Sequence, residues 1–176
     1  MSGQPSVTEL LQRNERLSAW HRPQKYFAEL NTPNKPKILI VSCLDPRSAP
    51  EEIFGLQHAE ALSFRNVGGK VDSIINDLVS LDFMLNCENV IVIHHTDCAL
   101  LHFTADNVRQ KLQQQLPEVT KMEVDSLALP EFSELEESVR EDVRTLKNYK
   151  FLRQGLKDGV LGFVYDVKSG LLKKIE

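Results

Sequence analysis

The sequence has little of several features that mark whole classes of protein. Cysteine occurs only three times in 176 residues, and an odd number excludes a complete set of disulfides. In a reducing compartment, thiols more often act as ligands, nucleophiles or buried fillers than as bridges. Basic residues are not in excess, because 21 Lys and Arg face 25 Asp and Glu. The net charge of −4 argues against a nucleic-acid partner, which requires a clustered basic surface.

Long apolar segments are also missing. No run is long enough to cross a membrane, and the N-terminal residues lack the apolar core of a signal peptide. Glu9 and Glu15 lie among the N-terminal arginines, which is unlike a transit peptide. We therefore predict a cytoplasmic protein that binds neither membrane nor nucleic acid. Its 41% hydrophobic content is enough for one compact domain with a core.

Short apolar segments alternate with helical patterns along the chain. Strands are predicted at KILIVS (37–42), ALSFRN (61–66) and NVIVIH (89–94), and helices at PEEIFGL (50–56) and DSIINDLVSLDFMLN (72–86). This order predicts an α/β fold in which a mainly parallel sheet is flanked by helices. The C-terminal segment predicts two further strands around the turn KSG.

Three more helices are predicted from apolar spacing and end signals. They are TELLQRNERLSAWH, with an apolar side of Leu10, Leu11, Leu17 and Trp20; ADNVRQKLQQQL, which stops at Pro117; and SELEESVREDVRTL, with a stripe of Val139, Val143 and Leu146. Ser133 and Glu136 have the spacing of a capping box, and Asp72 or Ser73 is placed to cap the helix that follows. Residues 117–131 have no pattern that we can assign.

Soft metal ligands follow two of the predicted strands. Cys43 and His95 lie just past the strand ends, and Cys98 comes three residues after His95. Because ligands bind at the carboxyl ends of parallel strands, we expect these three side chains to meet. Two thiolates and one imidazole suit zinc and leave a fourth position for water. The alternative is two buried thiols and a hydrogen-bonded histidine without a metal.

Other histidines and the third cysteine are expected to have structural roles. Neighbours on an extended chain point to opposite sides, so His94 should pack or support the site while His95 binds the metal. His102 is either an exposed, solvated residue or a border of the pocket. Cys87 is expected to be a buried structural thiol. His58 and His102 are candidates for a proton shuttle by residue type alone.

Asp45 lies two positions after Cys43, so on an extended backbone both side chains face the same side. Arg47, two positions further, can hold the Asp45 carboxylate bidentately. Asp45 bound to zinc would close the metal to water, whereas Asp45 held by Arg47 would leave the fourth position open. The alternative is that the two residues form an ordinary surface pair.

Together these motifs resemble a known family. C-x-D-x-R at 43–47, RN-x-GG at 65–69 and H-x-x-C at 95–98 are similar to the β-class carbonic anhydrases, and GFVYDVKSGLL resembles their closing strand. The segment VIHHTDCALLHFT is most similar to the short branch of the family, which also includes carbonyl sulfide hydrolases. RNVGGK lacks the spacing of a phosphate-binding loop, so we interpret its glycines as a turn.

The resemblance implies a fold, an assembly and a set of roles. It implies an N-terminal helical arm at 1–34 and a zinc domain at 35–176, in a homodimer or homotetramer with the active site at the dimer interface. Cys43, His95 and Cys98 would hold zinc. A zinc-held hydroxide would attack carbon dioxide, and Asp45, with Arg47 beside it, would accept a hydrogen bond from that hydroxide and orient it.

Departures from the family pattern leave the substrate open. Ala99 stands where the family usually has Gly, Ala59-Glu60 where it has Gly-Asp, and Pro46 where Ser is common. These changes concern the pocket, whose apolar wall we assign to Phe64, Val67, Ala99 and Leu101. Hydration of carbon dioxide to bicarbonate is the first hypothesis. The alternatives are hydrolysis of carbonyl sulfide or carbon disulfide, with release of hydrogen sulfide, and a non-catalytic bicarbonate sensor or zinc scaffold with Asp45 on the metal.

Overall fold

The computed structural model describes residues 3–23 and 35–176. The chain divides into two compact units, Met1–Asn34 and Lys35–Glu176. The predicted end of the N-terminal arm at residue 34 lies outside the described residues.

The first unit contains the predicted amphipathic helix, α1 (Val7–Ser18). Its first turn is capped by Ser6, whose hydroxyl accepts a hydrogen bond of 3.2 Å from the Glu9 amide. The apolar side chains Leu10, Leu11 and Leu17 are 48%, 62% and 68% exposed. The helix prediction is therefore confirmed, and the apolar side chains of the helix are exposed.

A five-stranded sheet organises the described part of the second unit. Its spatial order is β2-β1-β3-β4-β5, with parallel pairing from β2 to β4 and an antiparallel β5 at the edge. This confirms the predicted mainly parallel α/β fold. The strands are β1 (Ile38–Cys43), β2 (Leu62–Asn66), β3 (Asn89–His95), β4 (Val160–Tyr165) and β5 (Leu172–Ile175).

The second unit has helices at most of the predicted places. They are α2 (Pro50–Ile53), α3 (Ile75–Leu85), α4 (Ala105–Gln115), α5 (Lys121–Asp125), α6 (Leu135–Asn148) and α7 (Gln154–Asp158). Both α5 and α7 were missing from the sequence prediction. The first turn of α5 is closed by a capping box in which Thr120 and Glu123 exchange hydrogen bonds.

Both predicted helix caps are wrong. The hydroxyl of Ser73 accepts a hydrogen bond of 2.8 Å from the Asn66 side chain, and α3 begins two residues later, after a 3₁₀ turn at Asp72–Ile74. The helix α6 begins at Leu135 instead of after Ser133. The carboxylate of Glu136 is bound by Lys173 of β5 at 2.5 Å, so it is not available to cap the backbone.

The main core lies where β1 and β3 run through the middle of the sheet. Leu39 and Val41 of β1 and Val90 and Val92 of β3 are fully buried, as expected for continuously apolar strands. Cys87 is 2% exposed and belongs to the same core cluster, so its predicted structural role is confirmed. Burial raises the pKa of the Cys87 thiol, which keeps it protonated.

Close packing of α6 on β4 depends on the missing side chain of Gly162. A Cβ atom there would lie 2.5 Å from Cγ1 of Val139 and 2.8 Å from Cγ2 of Val143. Gly162→Ala should lower the free energy of unfolding by about 1–3 kcal/mol, measured by urea denaturation, because β-branched neighbours on a helix cannot move aside freely. Gly155→Ala in α7 is the control, since its nearest atom is 3.7 Å away on a flexible arginine. Equal effects of the two substitutions would contradict this account.

Among helices in residues 3–23 and 35–176, none combines the length and the apolar character needed to span a bilayer.

Candidate metal centre

The sheet topology brings the predicted ligands to one edge. The adjacent strands β1 and β3 run parallel, with Ser42 opposite Ile93. Their carboxyl ends therefore finish side by side, with Cys43 as the last residue of β1 and His95 as the last of β3. The turn that follows β3 returns Cys98 to the same place, so the three side chains form one buried group.

The distances within this group fit a tetrahedral metal ion. The Sγ atoms of Cys43 and Cys98 are 3.9 Å apart, and all three ligand atoms lie within 4.8 Å of one another. Two sulfurs that each bind zinc at ~2.3 Å with a tetrahedral angle are separated by about 3.8 Å. A disulfide would require about 2.0 Å. The two cysteines are therefore placed as a pair of thiolate ligands rather than as a bridge.

The tautomer of His95 is set by its backbone contact. Its Nδ1–H donates to the carbonyl oxygen of Thr96 at 2.9 Å, which leaves the lone pair on Nε2. This ring is fully buried, and its Nε2 has no hydrogen-bond partner among the described residues. An unsatisfied buried acceptor facing two thiols fits a metal ligand, because a bound cation would supply the missing partner.

Hydrogen bonds prepare the thiols for a cation. The contact between the sulfurs of Cys98 and Cys43 lowers the pKa of Cys43 against the opposing effect of burial, and the His95 ring and the backbone amides of Asp45 and Gly68 act in the same direction. The same contact raises the pKa of Cys98. The pair thus favours one thiolate without a metal, and a bound divalent cation would displace the second proton.

Asp45 and Arg47 form a close pair at the edge of the ligand group. Arg47 donates from its backbone amide and Nε to Oδ1 at 2.9 and 3.0 Å, and from Nη2 to Oδ2 at 2.7 Å. These bonds lower the pKa of Asp45 to about 2, so the carboxylate is ionised at neutral pH. The Oδ2 atom of Asp45 lies 4.0 Å from Nε2 of His95, so a small movement of the carboxylate would bring it to the ligand group.

Residues of the RN-x-GG motif support the end of β1, which carries Cys43, and the loop that follows it. Arg65 donates to the carbonyl oxygens of Cys43 and Asp45 at 3.0 and 2.8 Å. Gly69 has φ +72°, and a Cβ there would lie 3.0 Å from the carbonyl oxygen of Ile93. Sequence reasoning interpreted these glycines only as a turn. The structure adds a reason for them, since the turn packs directly on the ends of β1 and β3.

Asp97 is a residue near the ligand group that the sequence analysis did not identify. It accepts from Nη1 of Arg47 at 2.9 Å, and its other carboxylate oxygen lies 3.0 Å from Nε2 of His102. His102 is exposed, as one of the two predictions for it stated. The sequence signal that points to Asp97 is its position inside the H-x-x-C loop. An acidic residue there can accept hydrogen bonds from the Arg47 donors that Asp45 leaves unused.

His94 points away from the ligand group, as predicted. It is fully buried, stacks on Phe132 with ring centroids 5.3 Å apart, and contacts Asp142 of α6 through Nε2 at 3.1 Å. Asp142 also receives Lys70 at 2.5 Å. Asp142 therefore connects α6 to the end of β3, through His94, and to the turn after β2, through Lys70.

The four residues assigned to the pocket wall lie in different surroundings. Val67 is 49% exposed, and Ala99 and Leu101 lie on the exposed 3₁₀ turn after Cys98. Phe64 is partly buried against the main core. A Cβ atom on Gly68 would clash with the side chain of Leu100, so Leu100 packs on the glycine turn. The sequence analysis did not name Leu100 among the apolar residues of the pocket.

The fold and these side chains define an α/β protein with a Cys₂His centre of the kind that binds a transition metal. The model of the family described as carbonic anhydrase matches residues 38–172. Beta-carbonic anhydrase 1 of Mycobacterium tuberculosis is 29% identical over 147 residues, which are 83% of this chain and 86% of that protein. The chain belongs to the β-class carbonic anhydrase family.

Two further relatives have different names. The crystal structure of a carbonic anhydrase from Streptococcus mutans superposes with a TM-score of 0.80 at 30% identity and covers 99% of both chains. The carbon disulfide hydrolase of Saccharolobus solfataricus is 27% identical over 164 residues, which are 81% of this chain and 78% of that protein. The chain is thus similar both to proteins named carbonic anhydrase and to proteins named carbon disulfide hydrolase.

Proposed function

We propose that this protein is a zinc enzyme that interconverts carbon dioxide and bicarbonate. The observation that carries the proposal is the buried group of Cys43, His95 and Cys98, in which an unpartnered imidazole nitrogen faces two thiols at the separation that tetrahedral zinc requires. Membership of the β-class carbonic anhydrase family supports it.

In the proposed mechanism the metal would supply the nucleophile, and side chains of the protein would bind the metal and orient the nucleophile. When bound, Zn²⁺ would act as a Lewis acid that lowers the pKa of water and supplies hydroxide near neutral pH. Cys43, His95 and Cys98 would hold the ion. Arg47 holds the Asp45 carboxylate at the edge of the ligand group, where it would accept a hydrogen bond from the nucleophile and orient it. Addition of hydroxide to carbon dioxide would form one C–O bond as an electron pair of a C=O bond moves to oxygen, and the proton taken from water would leave to solvent.

We assign the apolar side of the substrate pocket to Val67, Ala99 and Leu101, with Phe64 supporting it from the core. Carbon dioxide is small and nonpolar, so an apolar wall favours its entry, whereas the bicarbonate product is an anion that leaves for water. The turn Val67–Gly69 contacts the turn Ala99–Leu101, which supports this assignment.

Self-association and location are part of the same proposal. The exposed apolar side of α1, with Leu10, Leu11 and Leu17, is the type of surface that another protein chain covers. We propose that the partner is a second copy, in a homodimer or homotetramer, and that residues 1–34 act as an arm attached to a zinc domain at 35–176. The cytoplasm, where thiols stay reduced, is the proposed location.

Stopped-flow measurement of carbon dioxide hydration tests the proposed activity. Protein with one zinc per chain should accelerate hydration at pH 7 and more strongly near pH 9. Asp45 is ionised throughout this range because its pKa is about 2. A rise with pH would therefore report ionisation of the bound water or release of Asp45 from the metal. Zinc-loaded protein without turnover at either pH would contradict the proposal, and protein stripped by a chelator is the control.

A second candidate function is hydrolysis of carbonyl sulfide or carbon disulfide. The observation that favours it is the similarity to proteins named carbon disulfide hydrolase, together with Ala99 in place of the usual glycine after the second cysteine. The same hydroxide would attack the same linear geometry and release hydrogen sulfide. Sulfide release from either compound, with little carbon dioxide hydration by the same preparation, would establish this candidate instead.

A further inference from the structure

The guanidinium of Arg47 is shared between two carboxylates. Its Nε and Nη2 donate to Asp45, whereas its Nη1 donates to the carboxylate of Asp97 at 2.9 Å. Nη2 also donates to the backbone carbonyl oxygen of Asp97 at 3.1 Å. Arg47 therefore connects the loop that follows Cys43 at the end of β1 to the loop between His95 and Cys98, after β3.

The backbone of Asp97 is shaped for this double contact. It has φ +56°, a left-handed conformation that Asp tolerates better than most residues with a side chain. In this conformation both its carbonyl oxygen and its carboxylate accept hydrogen bonds from the same arginine. The second carboxylate oxygen accepts from His102 at 3.0 Å. Asp97 is therefore held from two sides, although it lies on the surface.

We propose that Asp97 is a positioning residue that holds Arg47 in place and so keeps Asp45 withdrawn from the metal. The proposal rests on the proposed function only in requiring a metal ion at the ligand group. Arg47 is half-exposed, and without its second anchor its side chain would gain freedom and hold Asp45 for less of the time. Asp45 Oδ2 is already 4.0 Å from Nε2 of His95, so a carboxylate released by Arg47 can reach the ligands.

The expected effect is modest because the pairs are partly in solvent. Exposed charge pairs change equilibria by about two- to fivefold, and we expect a change of that size in the time that Arg47 spends away from Asp45. His102 should contribute less than Asp97, because it acts on Arg47 only by orienting the Asp97 carboxylate.

Exchange of the Arg47 Nε proton with solvent, measured by NMR on ¹⁵N-labelled protein of known zinc content, tests the proposal. This proton donates to Asp45 and does not contact Asp97, so a merely local loss at Asp97 would leave it unchanged. Asp97→Asn keeps the shape and the tolerance of a left-handed backbone but removes the charge. We expect it to raise the Nε exchange rate about two- to fivefold. The Arg47→Lys variant lacks the Nε proton, so the NMR signal that disappears in it is that of Arg47 Nε–H.

Three further variants make the result decisive. Asp45→Asn should raise the exchange rate more than Asp97→Asn, and His102→Gln should raise it less. Asp106→Asn is the matched control, because it removes the same charge from an exposed ion pair with Arg109 on α4 and should have no effect. An unchanged rate in Asp97→Asn would overturn the proposal, whatever the protein hydrates. Carbon dioxide turnover is measured separately, so its absence would count against the proposed function alone.

Discussion

Replacing Cys98 by alanine is expected to abolish tight zinc binding and to lower carbon dioxide hydration by more than about a hundredfold. Loss of a residue that only supports a metal ligand costs about 10–100-fold in affinity or activity, and loss of a ligand should cost more. Cys98 is 1% exposed and its sulfur lies 3.9 Å from that of Cys43, so its loss leaves one thiolate instead of two to balance the charge of the cation. Zinc content measured by mass spectrometry and stopped-flow hydration check the two parts of the prediction.

Cys87→Ala is the matched control for this experiment. Cys87 is also a buried free thiol, but it lies in the main core and outside the ligand group. The Cys87→Ala protein should retain one zinc per chain and its turnover, since the change removes only a small buried group. If Cys98→Ala binds zinc as tightly as the unmodified protein, the assignment of the ligands is wrong. Loss of zinc from Cys87→Ala, with the fold intact, would contradict it equally.

Asp142→Ala is expected to lower the free energy of unfolding by about 3–5 kcal/mol, the usual cost of removing one partner from a buried charge pair. Asp142 is 1% exposed and joins Lys70 at 2.5 Å to the buried ring of His94 at 3.1 Å. Its removal leaves the ammonium group and an imidazole nitrogen without their acceptor. Urea denaturation at one protein concentration and one zinc content measures the change, because subunit and metal binding both alter apparent stability.

Two comparisons separate this effect from a loss of helix stability. Glu141→Ala changes the preceding residue of α6, which is exposed, and should alter stability by less than about 0.5 kcal/mol. The double variant Lys70→Met with Asp142→Leu replaces the pair by apolar groups and should recover part of the loss, because no buried charge is then left unpaired. An Asp142→Ala protein as stable as Glu141→Ala would show that the buried contacts do not stabilise the fold.

Local signals in the sequence were reliable where local forces decide the structure. The continuously apolar runs ending at Cys43 and His95 were predicted as buried strands because both their faces need apolar neighbours, and the sheet confirms this. The same kind of signal is present for α5, where Thr120 and Glu123 have the capping-box spacing. The start of this helix is therefore also contained in the sequence.

Ser133 and Glu136 illustrate a real limit. They have the same capping-box spacing as Thr120 and Glu123, yet α6 begins later and Glu136 is bound by Lys173 from the far end of the chain. A carboxylate in the first turn of a helix can bond either to the backbone or to a distant cation. Which partner it takes depends on where the sheet places that cation, and spacing carries no information on this point.

The sequence by itself determined the mainly parallel sheet, the ends of β1 and β3 and the identity of the residues that meet there. Parallel strands finish at one edge, so the order of apolar runs and soft ligands was enough to bring Cys43, His95 and Cys98 together. Only the tertiary structure decided what surrounds them. Asp97 reaches Arg47, and Asp142 reaches His94, across 50 and 48 positions of the chain, because side-chain contacts between distant segments depend on the packed geometry of the loops and α6.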